Sequence, residues 1–295
     1  MDWDDLRIFL AVARHESLSA AGRQLRVDPA TVGRRIARLE EALGARLFAK
    51  GPQGYLLSEE GERLIACAER TEAAVQGASE ALVGPEGLTG QIRIGAPDGS
   101  ANYLLPQVLA RLCDENPRLE VQIVALPRVF NLSRREADMA ISVSAPTAGR
   151  LSVQKITDYH LHMAASRDYL AAHPPIATRA DLRHHRVIGY IPDMIFDKEL
   201  DYLAEIGVDW AQLASNSVSV QINWVRAGAG VAVIHDFALP SDPSLVKLLT
   251  EEISLTRSFY LIRHLDDRRS DRMNRIAEAL ASGLRHEVAR LEALT

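Results

Sequence analysis

The chain has 295 residues, 47% of them hydrophobic and 25% charged, which suits about two globular domains and excludes a fibrous or disordered chain. A formal net charge of −5 argues against a nonspecific polybasic binder, although DNA would still see a local basic face. The longest apolar stretches, within LLPQVLARLC and GAGVAVIH, fall short of the roughly 18 residues that a membrane span needs, so no membrane partner is expected. At the start, MDWDDLRIFLAV places acids where a secretory signal carries positive charge, and the two cysteines, Cys67 and Cys113, form no CxxC. Both features predict a reducing, cytoplasmic setting.

In DLRIFLAVARHES, Leu6, Phe9, Leu10 and Ala13 recur at i, i+3, i+4 and i+7, which predicts an amphipathic helix. Ser19 reads as the N-cap of a second helix, AAGRQL, and Pro29 ends the connection RVDP because the residue before a proline avoids helical geometry. Asp28 then caps a third helix over 29–42. Pro29 takes its first position, where a missing N–H costs nothing, and Val32, Ile36, Leu39 and Leu43 form the inward stripe. The opposite face carries Thr31, Arg34, Arg35 and Arg38. Between Arg23 and Lys50 seven cations stand against three acids, a basic segment inside an acidic chain. Two helices joined by a short turn, the second one basic, make the helix-turn-helix arrangement whose second helix enters the major groove. On pattern alone, a solvated basic face on an ordinary helical bundle accounts for the same residues equally well.

Gly51, Pro52 and Gly54 between apolar runs predict a tight hairpin wing, after which Ser58 caps a long helix. Along it Leu64, Ala68, Thr71, Val75, Ala78 and Leu82 are spaced alternately four and three apart. This heptad seam of small residues favours a dimerisation helix over a core helix, with Glu72 on its solvated side. GPEGLTG at 84–90 breaks the helix as a hinge. From Gln91 onward QIRIGAP, LEVQIVAL, DMAISV, LHMAAS, RVIGYI, VAVIH and FYLIR alternate with helical stretches. That is an α/β pattern with a mainly parallel sheet, whose ligands bind beyond the carboxyl ends of the strands.

Candidate chemistry is sparse. His160 and His162 share a strand face and His184 and His185 are adjacent, but no cysteine or ordered carboxylate set accompanies them, so no metal is expected. The cysteines fall on separate elements, which argues against a disulfide within one chain as a redox sensor. Asp98, Asp138, Asp193 and Asp236 flank strands as catalytic acids do, yet there is no GxSxG, no P-loop and no GxGxxG after the first strand. Neither catalysis nor a cofactor is indicated. After QIRIGAP the chain leads into a helix beginning near 102–106, so Ser100 and the backbone N–H groups of Ala101 and Asn102 would offer an anion site.

The order of these elements, carried by DLRIFLAVARHESLSAAGRQLRVDPATVGRRIARLEEALGARLFAK, GYLLSEEG, GQIRIGAP and GAGVAVIHDFAL, resembles the LysR-type transcriptional regulators over essentially the whole chain. The resemblance implies an all-α winged helix-turn-helix domain at 1–60, a linker dimerisation helix and hinge at 61–90, and an α/β two-lobed periplasmic-binding-protein-like effector domain at 91–295. Lobe I would comprise about 91–160 and 267–295 and lobe II about 161–266, the chain crossing near 158–161 and returning near 263–267. It further implies a homo-dimer or homo-tetramer on double-stranded promoter DNA, whose grip changes when a small-molecule effector enters the cleft. The DNA-contacting set would be Ser19, Asp28, Pro29, Ala30, Thr31, Arg34, Arg35 and Arg38, with Lys50 and Gln53 in the wing. The effector would meet Ser100, Ala101, Asn102, Arg128, Phe130, Ile191 and Asp193. A small organic acid suits the helix start and Arg128, and an amphoteric metabolite suits the added presence of Asp98 and Asp193.

This chain departs from the family pattern at several points. Asp28, Pro29 and Ala30 stand where the recognition helix usually opens with Ser-Gln-Pro, Gly33 replaces a common serine, and Gln53 and Leu56 replace common wing cations. Affinity should therefore lean on Arg34, Arg35 and Arg38. The alternative is a solute-binding receptor or an enzyme on the same two-lobed fold, its helical N-terminus serving dimerisation alone.

Overall fold

The computed structural model describes residues 2–51, 54–82, 87–125, 137–146 and 150–295, and of residues 50, 73, 76–82 and 266 the backbone alone. It divides into two compact units, Met1–Glu86 and Gly87–Thr295.

In the first unit α1 (Trp3–His15) buries Leu6, Ile8, Phe9, Leu10, Ala11 and Val12, a broader stripe than the sequence spacing marks, while Ala13 stays half-buried. The second helix, α2 (Leu18–Leu25), starts earlier than expected. Its N-cap is Ser17, whose side chain accepts from the Ala20 N–H, and Ser19 lies exposed in the first turn. The earlier start lets Leu18 pack on the unit's core. Gly22 permits the turn that follows, because a Cβ there would lie 2.6 Å from the Val27 carbonyl oxygen. Asp28 caps α3 (Pro29–Leu43) by accepting from Ala30 N at 3.0 Å and Thr31 N at 3.3 Å, an interaction worth about 1 kcal/mol. Val32, Ile36 and Leu39 are buried as expected, but Leu43 is 38% exposed. It sits in the last turn, where Gly44 (φ 64°) takes the chain away from the core.

Strands β1 (Phe48–Gly51) and β2 (Gly54–Leu57) pair antiparallel as the wing. Phe48 packs on Phe9 with ring centroids 5.4 Å apart, and the Tyr55 N–H donates to the Glu16 carbonyl at 2.9 Å, so the wing is held against the end of α1. Ser58 caps α4 (Glu59–Leu82), accepting from Gly61 N at 3.0 Å. This helix lies on α1. Ala68 is fully buried with Leu64 beside it, and Arg14 grips Glu72 through two bonds of 3.1 Å and 2.6 Å. Glu72 is therefore buried, not solvated: one turn past Ala68, it continues the Leu64–Ala68 face that lies on α1 and so meets Arg14.

The second unit runs β3 (Thr89–Ala96), α5 (Asp98–Tyr103), α6 (Leu105–Glu115), β4 (Arg118–Ala125), β5 (Met139–Ser142), β6 (Leu151–Ser166), α7 (Arg167–Ala172), β7 (Val187–Gly189), α8 (Tyr202–Ile206), β8 (Leu213–Ala214), α9 (Val218–Arg226), β9 (Val231–His235), β10 (Leu245–Leu248), β11 (Ser254–His264) and α10 (Asp271–Glu292). The strands form one sheet in the order β4-β3-β5-β11-β6-β9-β7-β8, with β10 also on β6. Parallel pairing holds within β4-β3-β5 and within β9-β7-β8. Between these two blocks the pairs β5-β11, β11-β6 and β6-β9 are antiparallel, so the sheet is mixed. The cause is topological: β6 runs out of one block into the other and β11 runs back beside it, and two oppositely directed crossovers can pair only antiparallel.

The pairing also places the crossings. β6 meets β9 from Leu161 to Ala164, consistent with a crossing near 158–161. β11 already meets β5 from Tyr260 to Arg263, just past a register shift between Phe259 and Tyr260. The return thus lies at that shift, ahead of the expected 263–267. Helix α10 buries Ile276, Ala277, Leu280, Leu284 and Val288, closing lobe I against α6 and β6.

Candidate functional site

The outer face of α3 presents Pro29, Ala30 and Arg34 to solvent, with Thr31 and Arg35 half-buried beside them. Arg34 donates from Nη2 to Thr31 Oγ1 at 2.9 Å, which leaves the rest of its guanidinium to solvent. Arg35 and Arg38 are placed differently. The Asp5 carboxylate, 2% exposed, accepts from Arg35 at 3.3 Å and from Arg38 in a short bond, and Arg38 also donates to Asp2 at 3.2 Å. Asp2 caps α1, and the Asp5 N–H first, then the charges of Arg38 and Arg35, hold its carboxyl below the usual range. Acids at the start of α1 thus compensate two of the three arginines of α3, and these two position α3 on α1. Sequence reasoning, which gave all three arginines one role, could not see this pairing across about thirty residues. Lys50 lies on β1 with its side chain outside the described residues, and Gln53 lies outside them altogether.

The α4 seam separates into two parts. Leu64 and Ala68 belong to the first unit's own core, so this chain's α1 fills the places expected for a partner helix. Thr71 is half-buried and its hydroxyl donates to the Cys67 carbonyl at 3.0 Å. Val75 is 40% exposed. The side chains of Ala78 and Leu82 lie outside the described residues.

In the second unit a gap opens between the lobes, where Asp98, Gly99 and Ser100 at the start of α5 face Tyr159, His235 and Phe259. Its volume is about 20 Å³, room for a single water, which needs roughly 10–15 Å³. Ser100 is buried here, but its hydroxyl donates to the Pro97 carbonyl at 3.1 Å. α5 starts at Asp98, four residues before the earliest expected start, and has only six residues. Ala101 is buried, and exposed Asn102 donates back to the Asp98 carbonyl at 2.8 Å. The expected anion cradle at Ser100 is thus turned inward. The helix start that does bind an anion is that of α9. There the Asp98 carboxylate accepts from Ser219 N at 2.8 Å, Ser219 Oγ at 2.9 Å and Ser217 Oγ at 3.2 Å. Asp98 therefore fills the positive end of α9 and ties lobe I to lobe II. A second tie is the short bond from the Ser144 hydroxyl to Asp197.

Ile191 and Asp193 do not line this gap. They lie half-buried and exposed around the short 3-10 turn Pro192–Met194, and Tyr190 takes the place expected for them. Arg128 and Phe130 lie outside the described residues.

The gap is aromatic and poor in charge. Tyr159 stacks on Phe259 at 4.1 Å and on His235 at 5.5 Å. Burial pushes the Tyr159 and Tyr190 phenols well up and lowers His235 to about 4, so His235 is neutral at pH 7. Among the described lining residues Asp98 is the only charged group at that pH. Among the described residues the Tyr159 hydroxyl and His235 Nδ1 are buried without a hydrogen-bond partner, as is the hydroxyl of Tyr202, whose ring lies 6.2 Å from that of His235. Each such atom costs about 1–3 kcal/mol until something bonds to it. His235 closes β9, where ligands of open sheets are expected, so its position was legible. Nothing local in DYHLH marks Tyr159.

His160, His162 and His185 have separate partners. His160 meets Glu292 at 2.8 Å, His162 meets Asp236 at 2.8 Å while Lys247 holds the same carboxylate at 2.6 Å, and His185 meets the Tyr169 hydroxyl at 3.2 Å. Asp138 accepts from Arg93 N at 2.8 Å, a strand-closing bond.

Both units match known families. Residues 3–62 fit the family model described as bacterial regulatory helix-turn-helix protein, lysR family, and residues 85–285 fit that of the LysR substrate binding domain. The HTH-type transcriptional regulator PtxR of Pseudomonas aeruginosa is 27% identical over 258 residues, covering 84% of this chain and 82% of that protein. DgdR of Burkholderia cepacia, also an HTH-type transcriptional regulator, is 29% identical over 267 residues, covering 83% and 82%. The fold matches that of a full-length OxyR variant from Pseudomonas aeruginosa with a TM-score of 0.73 at 19% identity, covering 97% of this chain and 95% of that one. Among the described residues no helix is long and apolar enough to cross a membrane. Matched over both units, the chain belongs to the LysR family of transcriptional regulators, with a helix-turn-helix DNA-binding domain and an effector-binding domain.

Proposed function

We propose that this regulator binds double-stranded promoter DNA as a dimer or tetramer through the first turns of α3, and that a small molecule between the lobes changes its grip. Arg34 and Thr31 approach bases or phosphates, while Arg35 and Arg38 orient the helix from behind. Exposed Val75 and the Ala78 and Leu82 that follow it at seam spacing in the sequence supply the contact between copies. We assign binding rather than catalysis to the interlobe gap.

The observation that carries the effector half of this reading is a pair of buried atoms of gap-lining residues, Tyr159 Oη and His235 Nδ1, that have no hydrogen-bond partner among the described residues. A ligand with a donor and an acceptor satisfies both at once, and lobes parted by a few ångströms would admit it. With Asp98 the only charged described lining residue at neutral pH, the effector is an uncharged or amphoteric metabolite rather than a simple anion. The test is a thermal-shift screen of uncharged, amphoteric and anionic metabolites, followed by gel shifts on DNA from the chain's own promoter region. Ligand at a hundredfold its dissociation constant stabilises by roughly 2.7 kcal/mol, a readily visible shift. An inducer whose effect on the gel shift is unchanged in Tyr159→Phe and His235→Gln would refute the assignment.

A further inference from the structure

Inside lobe II lies a second, far larger cavity, of about 680 Å³. Every described residue that lines it falls between Ile188 and Val233, so it belongs to one lobe, whereas the gap draws its walls from both. Small-molecule pockets span roughly 300–1,000 Å³. Tyr190, Phe196 and Leu200 line both spaces and form the partition between them.

The lining has a definite chemistry. Tyr190, Phe196 and Trp210 present rings, and Ile195, Leu203 and Val208 add aliphatic surface. The charged groups are three carboxylates, Asp197, Asp201 and Asp209, against one ammonium, Lys198. Asp197 and Asp201 cap short helices, accepting from Glu199 N at 3.0 Å and Ala204 N at 3.5 Å. Asp209 makes no hydrogen bond or ion pair among the described residues. Next to it Trp210 is 64% exposed, and both residues line the cavity, so a carboxylate and a large ring stand together on its exposed side. A ring face and an uncompensated carboxylate together attract an ammonium group, and the attraction grows as the cation is desolvated.

We propose that the lobe II cavity is a second small-molecule site, specific for an amine that is cationic at neutral pH and carries an aromatic or apolar body. The body fills the aromatic and aliphatic interior and the ammonium rests near Asp209 at the mouth. An acid of the same shape is rejected by the excess of carboxylates.

Isothermal titration of the full-length chain with tryptamine and with indole-3-propionate, two probes that share a ring and differ in charge, tests the site. Tryptamine should bind at least about tenfold more tightly, and its affinity should fall with added salt because the attraction is screened. Ala204→Trp places a large side chain on an exposed position of the cavity lining and should abolish tryptamine binding. Asp209→Lys, a surface change that leaves the interior intact, should weaken it about tenfold or more. Ser219→Ala, which loosens a tie across the interlobe gap, should leave it within about twofold. Equal binding of the two probes, undetectable tryptamine binding at millimolar concentration, or tryptamine binding that survives both Ala204→Trp and Asp209→Lys would overturn the proposal. So would a loss of binding confined to Ser219→Ala, since that places tryptamine in the gap.

Discussion

Arg14 on α1 and Glu72 on α4 form a two-bond ion pair with both side chains largely shielded, 16% and 12% exposed. The pair fixes the long helix to the DNA-binding domain at a point well past the Leu64 and Ala68 contacts. Glu72→Lys sets two cations against each other in that shielded place. Its cost should lie between that of exposed and buried pairs, about 2 kcal/mol, seen as a loss of roughly 10 °C in the melting of the isolated first unit. An unchanged melting temperature would mean that the pair does not hold the helix.

The three arginines of α3 should separate by readout. Arg34→Ala should weaken operator binding and, if its contact is to phosphate, flatten the salt dependence by about one unit of slope. Arg38→Ala should act chiefly on stability, since it leaves the buried Asp5 carboxylate with Arg35 alone. Denaturant titration alongside gel shifts separates the two effects, and equal salt slopes for the two variants would reject the division of roles.

Charges introduced along α4 should fail in two different ways. Ala68→Glu buries a carboxylate in the core of the first unit and should prevent its folding. Val75→Glu, at a position 40% exposed, should leave the domain folded but shift sedimentation toward monomer. Folded dimers from Val75→Glu would place the contact between copies elsewhere.

His235 should make the effector-binding domain sensitive to acid. Burial lowers its folded-state pKa to about 4, below the roughly 6.5 of an unfolded histidine. The unfolded chain therefore takes up the proton first, so this contribution is complete above about pH 6.5 and is lost as pH falls toward 4. Between pH 7 and 5 the loss is about 2 kcal/mol. Urea unfolding should show a smaller acid loss in His235→Gln than in the parent, and parallel pH profiles would count against this placement of the imidazole.

What the sequence made legible follows from what is local. Caps, turns and apolar periods act within a few residues, so α1, α3, the wing and most effector-domain strands were readable, and Asp28 with Pro29 marked the start of α3. Ser17 and Ser19 are equivalent as hydroxyls, and only the packing of Leu18 decides between them. The crossovers were harder. In β6, the half around 151–157 runs along the sheet as LSVQKIT, with exposed Gln154 and Lys155 that break any apolar run, so only LHMAAS was visible. The functional pairs were hardest. Arg38 with Asp5, Arg14 with Glu72 and Asp98 with Ser219 each join residues far apart in the chain, and a single sequence carries no signal that couples them.

The β6-β11 ladder carries both passages between the lobes, and its strands are hydrogen-bonded to each other from Leu151 to His162. A pair of independent connecting segments would let the lobes twist, slide or swing. A continuous ribbon resists shear along its length and stretch across it, leaving one compliant direction, a flexing about the irregularity beside Phe259. Phe259 also walls the interlobe gap. A guest wedged against that ring, as proposed for the effector, would press on the bending point itself, giving a molecule of a few atoms the mechanical advantage to change the angle between two bodies many times its size.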